Sequence, residues 1–283
     1  MCGFYFNYYV NLLMLYLVRM QSITLIIKYF KNYLKEDNVM QDFKKRMFCT
    51  FLVVTALLFF TSVGFAKVWK ASIAQMPGYA ENMDKGVLVD FVKALERVSG
   101  EKIVYQVVPF SRSISDAEEK RVDFHMPLIQ LPGAETGTDK FDYSTEIIFH
   151  VNFILYSSKK LNINPQNVSQ FRVETDAAHV KYFNFPIVPS FTIEGSLKKV
   201  DAGRTDAFIF ADFASDPVVK QNKLSNIKRQ LYKRFNVRIV LPKGQRGGAT
   251  DKFLSNAIGK LRATGEFNKI MDQIDYQFNP WQP

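Results

Sequence analysis

The sequence predicts an α/β fold in which helices cover a β-sheet. Residues 86–126 and 171–241 carry this prediction, because apolar helices and strands alternate in both stretches. Two amphipathic helices then finish the chain. Alternation of this kind buries a sheet beneath helices, and binding crevices in such folds lie at strand ends. Functional residues are therefore expected where strands end.

The first stretch predicts a helix, a strand, a short helix and a second strand. Its long helix follows the 3.6-residue apolar period and ends at Gly100, a residue type that caps helices. Residues 103–108 are β-branched and aromatic, which favours a buried strand. Ser111 or Ser113 can cap the short helix, and residues 122–126 begin the next strand. The apolar positions of the long helix are Val87, Leu88, Phe91, Val92, Leu95 and Val98.

The remaining elements follow from the same two periodicities. Further strands are predicted at 68–74, 147–157, 171–175, 206–211 and 237–241, with a short extended piece at 186–189. Further helices are predicted at 176–183, 194–202, 214–221, 253–261 and 267–274.

Residues 40–66 predict a secretory signal peptide. A basic segment at 44–46 precedes an uncharged apolar core at 47–60, and the small-x-small triplet 64–66 predicts cleavage after Ala66. A core of 14 residues is short for a membrane span, which needs about 20. A retained signal anchor is the alternative, because the segment stays uncharged to its end.

Residues 1–39 form an N-terminal extension with two interpretations. The uncharged, aromatic-rich segment 4–18 is compatible with a first transmembrane helix. A chain that starts at Met40 or Met47 is the preferred interpretation, because a signal peptide normally begins a chain.

Composition limits the classes of partner. The chain has a net charge of +10, and without residues 1–66, which hold seven basic and three acidic residues, 30 Lys and Arg face 24 Asp and Glu. Basic clusters at 228–229 and 233–238 are interpreted as a solvated face, so nucleic-acid binding is not expected. Both cysteines, Cys2 and Cys49, precede the predicted cleavage point, and no disulfide is expected after it.

Short motifs occur in a characteristic order across residues 67–283. They are GVLVD at 86–90, GEKIVY at 100–105, KRVD at 120–123, FDYS at 141–144, GRTDA at 203–207 and TGEFNKI at 264–270. In this order they resemble the type II periplasmic solute-binding proteins that serve amino-acid ABC importers, family 3 of the extracellular solute-binding proteins.

The resemblance implies a two-lobe periplasmic-binding-protein fold with two hinge-crossing strands and a ligand trapped by closure. Lobe one would comprise residues 67–147 with 238–283, and lobe two residues 148–237. A monomer in the periplasm is expected, with a small polar ligand such as an amino acid. An ABC permease or a membrane sensor would be its partner.

The resemblance also suggests ligand-binding positions. Tyr79 is near the first-loop aromatic, and Phe110 follows the second strand where the family places an aromatic that packs on the ligand. Gln130 occupies the position of a threonine that binds the ligand carboxylate. Thr175 and Asp176 open a lobe-two helix whose backbone N–H groups can accept an anion.

The sequence departs from the family pattern at two positions that usually bind the carboxylate and the amine of an amino acid. Relatives hold the carboxylate with an arginine, but residues 122–171 contain none. The amine-binding aspartate should stand at Ala211, and Asp212 is one position late, which in a strand turns the side chain to the other face. Arg112 is the candidate substitute for the missing arginine, or else a surface residue.

Other positions keep alternative interpretations. Phe110 either stacks on the ligand or fills the lobe core, while His125 is interpreted as a core histidine. Three histidines and no cysteine after residue 66 argue against a transition-metal site, and neither a cofactor nor a catalytic residue is predicted. A membrane-anchored sensor and a dehydratase-like enzyme on the same fold are the alternatives to a transport protein.

Overall fold

The computed structural model describes residues 67–283 and, before them, Lys28 alone. The predicted signal peptide and N-terminal extension lie outside the described residues. Within residues 67–283, no helix combines the length and the apolar character needed to cross a membrane.

Strands and helices alternate along residues 67–283. The strands are β1 (Trp69–Ala74), β2 (Ile103–Val108), β3 (Phe124–Ile129), β4 (Phe141–Ser158), β5 (Val173–Asp176), β6 (Val188–Ser190), β7 (Ala207–Ala211) and β8 (Ile227–Pro242). The α-helices are α1 (Val87–Ser99), α2 (Phe110–Glu118), α3 (Ile193–Asp201), α4 (Asp212–Gln221), α5 (Ala249–Ala263) and α6 (Glu266–Met271). Short 3₁₀ helices span Val168–Gln170 and Ala177–Tyr182.

The strands form one sheet in the order β2-β1-β3-β8-β4-β7-β5-β6. Strands β4 and β8, of 18 and 16 residues, pair antiparallel from Phe141–Pro242 to Ser158–Ile227 and belong to both halves of the sheet. Lobe one lies on the β1–β3 side and lobe two on the β5–β7 side. The predicted α/β fold with two lobes and two hinge-crossing strands is confirmed, while the residue boundaries of the lobes stay a prediction.

Helix α1 shows how the apolar pattern builds lobe one. Phe91 and Leu95 are fully buried, and the Phe91 ring meets Phe267 of α6 edge-on at 5.9 Å between centroids. Burying a side chain of this size stabilises the fold by about 1.5–3 kcal/mol. Gly100 has a φ of 74° and donates its N–H to the carbonyl of Glu96, so it caps the helix as predicted.

Helix α2 begins before both of its predicted N-cap residues. It starts at Phe110, directly after Pro109, so neither Ser111 nor Ser113 is its N-cap. Proline restricts φ and suits this boundary, which makes a serine cap unnecessary. The Ser113 hydroxyl instead lies 2.6 Å from Nδ1 of buried His125, inside lobe one.

Strand β8 begins well before the predicted 237–241 and contains both basic clusters. The prediction of a solvated face is wrong for Arg229, whose side chain is 1% exposed. Its Nε and Nη2 atoms donate to both carboxylate oxygens of Asp216, at 2.8 and 2.5 Å. Arg234 pairs with Asp275 at 2.5 Å. Carboxylates from outside the strand neutralise both guanidinium groups, and β8 can therefore bury Arg229 fully and Arg234 in part.

The C-terminal tail, residues 276–283, follows α6 of lobe one and lies against lobe two. Arg229 Nη1 donates to the carbonyls of Asn279 and Trp281, at 3.1 and 2.6 Å. The Trp281 ring centroid is 4.1 Å from the Arg229 guanidinium, and its Nε1 donates to Asp216 at 3.2 Å. The tail thus joins the two lobes in addition to the hinge strands.

Candidate functional site

A cavity of about 380 Å³ lies between the lobes, beside the hinge strands. Its wall is almost entirely apolar or aromatic, and none of its lining residues carries a permanent charge. Lobe one supplies Met76, Tyr79, Phe110, Pro127, Leu128 and Ile129, and the hinge strands supply Phe149, Val151, Phe153 and Val237. Lobe two supplies Ala178, His179, Tyr182, Phe210, Ala211 and Phe213.

Tyr79 contacts both the hinge and lobe two. It follows Gly78, whose φ of 76° makes the turn after β1. The Tyr79 ring centroid lies 5.7 Å from that of Phe149 and 5.5 Å from that of Phe213. Burial, with the nearby Asp212, raises the pKa of Tyr79, so its hydroxyl stays protonated at neutral pH.

Phe110 is the first residue of α2 and lines the cavity with a side chain that is 40% exposed. Its ring meets the His125 ring edge-on at 5.9 Å between centroids. His125 is fully buried, and burial lowers its pKa to about 3, so it is a neutral core histidine beneath Phe110. Arg112, on the same helix, is exposed and lies outside the cavity lining.

Strand β4 gives the cavity its floor. Phe149, Val151 and Phe153 stand at alternate positions and therefore share one face of the strand. Phe153 is fully buried, with ring centroids of Phe210 and Phe235 at 5.6 and 4.7 Å. Sequence reasoning missed this floor, although its period-2 apolar alternation was the available signal.

The start of the lobe-two helix is occupied by the chain's own carboxylate. Asp176 Oδ1 accepts from the Ala178 N–H at 3.0 Å and lies 2.9 Å from Nδ1 of His179. The helix predicted at 176–183 is a short 3₁₀ helix, and Asp176 caps its first turn. Thr175 is buried and donates its hydroxyl to the Ile209 carbonyl at 2.7 Å, which turns it away from the cavity.

Tyr182 reaches from lobe two to lobe one. Its hydroxyl donates to the carbonyl of Ile129, at the end of β3, over 3.0 Å. Tyr143 donates to the same carbonyl at 3.3 Å. The lobes are therefore in direct contact in this structure. The hydrogen bond from Tyr182 to Ile129 and the ring contact between Tyr79 and Phe213 both join them.

Asp212 lies in a small recess beside the cavity, next to Tyr79. It is the first residue of α4, since β7 ends at Ala211, and the strand-register argument against it does not apply. Asn152 Nδ2 donates to Oδ2 at 3.0 Å, and the Phe213 N–H donates to Oδ1 at 2.8 Å. Burial raises the pKa of Asp212.

Gln130 lines a separate cavity of about 200 Å³. Its Oε1 atom accepts from Nε of Arg238 at 2.7 Å. Arg238 also donates to the carbonyls of Ser144 and Thr145, at 3.1 and 2.9 Å. The amide oxygen of Gln130 is thus held by the chain itself.

Two of the six predicted site residues, Tyr79 and Phe110, line the main cavity, and Asp212 adjoins it. Arg112, Gln130 and Thr175 lie outside its lining. Among residues 67–283, no three or more His, Cys, Asp or Glu side chains converge as metal ligands would.

Comparison with known proteins shows which solved structures share this fold. No protein-family model and no curated sequence matches the chain. A solved histidine kinase sensor domain with similarity to periplasmic binding proteins has a TM-score of 0.53 and 15% identity, covering 73% of this chain and 95% of its own. The GluR0 ligand-binding core from Nostoc punctiforme, in complex with L-glutamate, has a TM-score of 0.53 and 14% identity, covering 74% and 100%.

A third solved structure is the probable amino-acid ABC transporter extracellular-binding protein ytmK from Bacillus subtilis. It has a TM-score of 0.53 and 19% identity, covering 75% of this chain and 100% of its own. At such identities the likeness shows the fold. The chain has the two-lobe fold of type II periplasmic binding proteins, which confirms the resemblance at that level.

Proposed function

We propose that the protein is a periplasmic solute-binding protein that closes its two lobes around a small ligand. The observation that carries this proposal is the cavity lined from both lobes and both hinge strands. A ligand that contacts both lobes favours the closed state by its extra contacts there, and the hinge strands absorb the motion. The fold shared with solved binding proteins supports the same function.

Export and partner follow from this proposal. The mature protein would begin at Lys67, after cleavage of the signal peptide, and deliver its ligand to an ABC permease. The fold is equally that of a kinase sensor domain, so a membrane-anchored sensor is the second candidate. Sequencing the N-terminus of the exported protein separates them, because a retained segment 40–66 would favour the sensor.

Binding is favoured over catalysis by the chemistry of the cavity. Of the lining residues, only His179 belongs to the residue types that most often act as a general acid or base. A dehydratase would need an acid or base aimed at its substrate, and general acid–base groups are most often His, Asp or Glu. One histidine already paired with Asp176 is a weak basis for such a reaction.

The test is a ligand screen followed by a measurement of lobe closure. Protein expressed from the full chain is screened by thermal shift against amino acids, polyamines, organic acids and neutral aromatic compounds. We expect at least one compound to raise the melting temperature and to reduce the radius of gyration in small-angle X-ray scattering. A screen without any stabilising compound would contradict the proposed function.

A further inference from the structure

The chemistry of the cavity wall restricts the ligand further. The lining residues with polar side chains are Tyr79, His179 and Tyr182, and the Tyr182 hydroxyl already donates to the Ile129 carbonyl. The nearby carboxylate of Asp212 lies in the adjoining recess, where it accepts from Asn152 and from the Phe213 N–H. A ligand ammonium or carboxylate within the cavity itself would lose its hydration without an opposite charge among the lining residues. Burying an unpaired charge costs far more than apolar contacts return. The wall therefore disfavours a zwitterion.

The groups expected to hold a charged ligand are committed elsewhere. Gln130 accepts from Arg238, and Thr175 donates to the Ile209 carbonyl. The N–H of Ala178 donates to the side chain of Asp176 within the same turn. These three polar contacts are thus made within the chain, and the remaining candidate anchor, Arg112, lies on the exposed surface outside the cavity lining.

Aromatic rings make up the opposite walls and the rim. Tyr79 and Tyr182 face the cavity from different lobes, and Phe153 lies on its floor. Phe110 and Phe213, also from opposite lobes, line the cavity as well, and each is 40% exposed overall. Rings prefer to pack edge-on or offset against other rings, with a gain beyond simple burial. A flat apolar ligand in the cavity would pack against rings from both lobes.

We propose that the ligand is a small, neutral aromatic compound held between the aromatic residues of the two lobes. This inference rests on the proposed function and narrows its ligand from small molecules in general to one chemical class, in place of the polar ligand expected from the sequence. The cavity volume of about 380 Å³, at about 30 Å³ per water-sized group, holds roughly a dozen non-hydrogen atoms. That is the size of one substituted ring or a small bicycle.

The test compares two ligand classes on protein expressed from the full chain. Indole, phenol and benzyl alcohol are titrated by calorimetry beside glutamate, glutamine and arginine. We expect at least one neutral aromatic to bind at least tenfold more tightly than every amino acid. Binding should weaken when a carboxylate or an ammonium is added to the same ring, because that charge would be buried without a partner.

Matched variants locate the site. Ala178→Leu places bulk in the cavity, whereas Ala177→Leu adds the same side chain next to it, outside the lining. Phe213→Ala removes a wall ring, and Phe191→Ala removes a ring that is 87% exposed and outside the lining. We expect Ala178→Leu and Phe213→Ala to weaken aromatic binding about tenfold or more, and both controls to bind as the parent does.

The outcomes separate this inference from the proposed function. If amino acids bind and the aromatic compounds do not, the neutral-aromatic ligand is overturned while the solute-binding function stands. If aromatic compounds bind equally well to Ala178→Leu and Ala177→Leu, they occupy another place and the inference is overturned. If neither class binds but a polyamine or an organic acid from the thermal-shift screen does, only the neutral-aromatic ligand is overturned. If no compound of the whole screen binds, both proposals are overturned.

Discussion

His125 illustrates at the scale of one residue how burial sets protonation. Its ring is fully buried beneath Phe110, and its Nδ1 atom lies 2.6 Å from the Ser113 hydroxyl. Burial lowers the pKa of His125 to about 3, from about 6.5 in an unfolded chain. Between pH 6.5 and 3 the imidazole is protonated in the unfolded chain but neutral in the folded protein. Lowering the pH through this range therefore favours the unfolded state and reduces the free energy of unfolding.

We expect the free energy of unfolding to fall with decreasing pH below about 6.5, by at most about 1.4 kcal/mol per pH unit from this group. His125→Asn keeps a polar partner for Ser113 but does not titrate, so its slope between pH 6.5 and 5 should be shallower. Urea unfolding at several pH values measures the slope. Equal slopes for parent and variant would contradict the buried, neutral imidazole.

At the scale of elements, one buried ion pair connects β8, α4 and the C-terminal tail. Arg229 donates to Asp216 and to two carbonyls of the tail. Its side chain is only 1% exposed, so these groups replace its hydration. The Tyr156 hydroxyl donates to the same carboxylate at 2.6 Å. Removing one partner of such a pair leaves the other charge buried without compensation.

Asp216→Ala should therefore lower the free energy of unfolding by about 3–5 kcal/mol, measured by urea denaturation. Glu194→Ala is the matched control, because Glu194 pairs with Lys198 on the exposed surface of α3, where more than half of each side chain is exposed. Exposed pairs of this kind contribute about 0–1 kcal/mol. Equal losses in the two variants would show that Arg229 does not depend on Asp216.

This ion pair also explains which elements sequence patterns predict well. Helix α1 and strand β2 have local apolar periodicity, and both match their predicted positions within a residue or two. The first half of β8 contains Arg229, which the fold buries, and Arg234, which it buries in part. Their carboxylate partners, Asp216 on α4 and Asp275 after α6, are distant in sequence. Local periodicity cannot show a charge that a distant carboxylate neutralises, and β8 was predicted too short.

The same limit of local sequence patterns applies to the candidate site. Tyr79 and Phe110 follow predicted strands and were found by resemblance to known proteins. Phe153, Tyr182 and Phe213 belong to the hinge and to lobe two, and they approach lobe one only when the sheet is complete. Their role depends on the packing of two lobes, which no short stretch of sequence describes.

At the scale of the whole molecule, two contacts cross the cleft and join the lobes. The Tyr182 hydroxyl donates to the Ile129 carbonyl at 3.0 Å, and the ring centroids of Tyr79 and Phe213 are 5.5 Å apart. These contacts cross the cleft and exist only when the lobes are together. Under the proposed function, these contacts would lower the free energy that a ligand has to supply for closure.

Tyr182→Phe removes the hydrogen bond between the lobes and keeps the ring. One such bond contributes about 1 kcal/mol, so the ratio of closed to open molecules should fall about fivefold. The Ile129 carbonyl still accepts from Tyr143, and no buried acceptor is left unpaired. Small-angle scattering of the ligand-free protein should show a larger radius of gyration for Tyr182→Phe. Tyr232→Phe, the control on β8, should leave it unchanged, and equal radii for both variants would show that Tyr182 does not hold the lobes together.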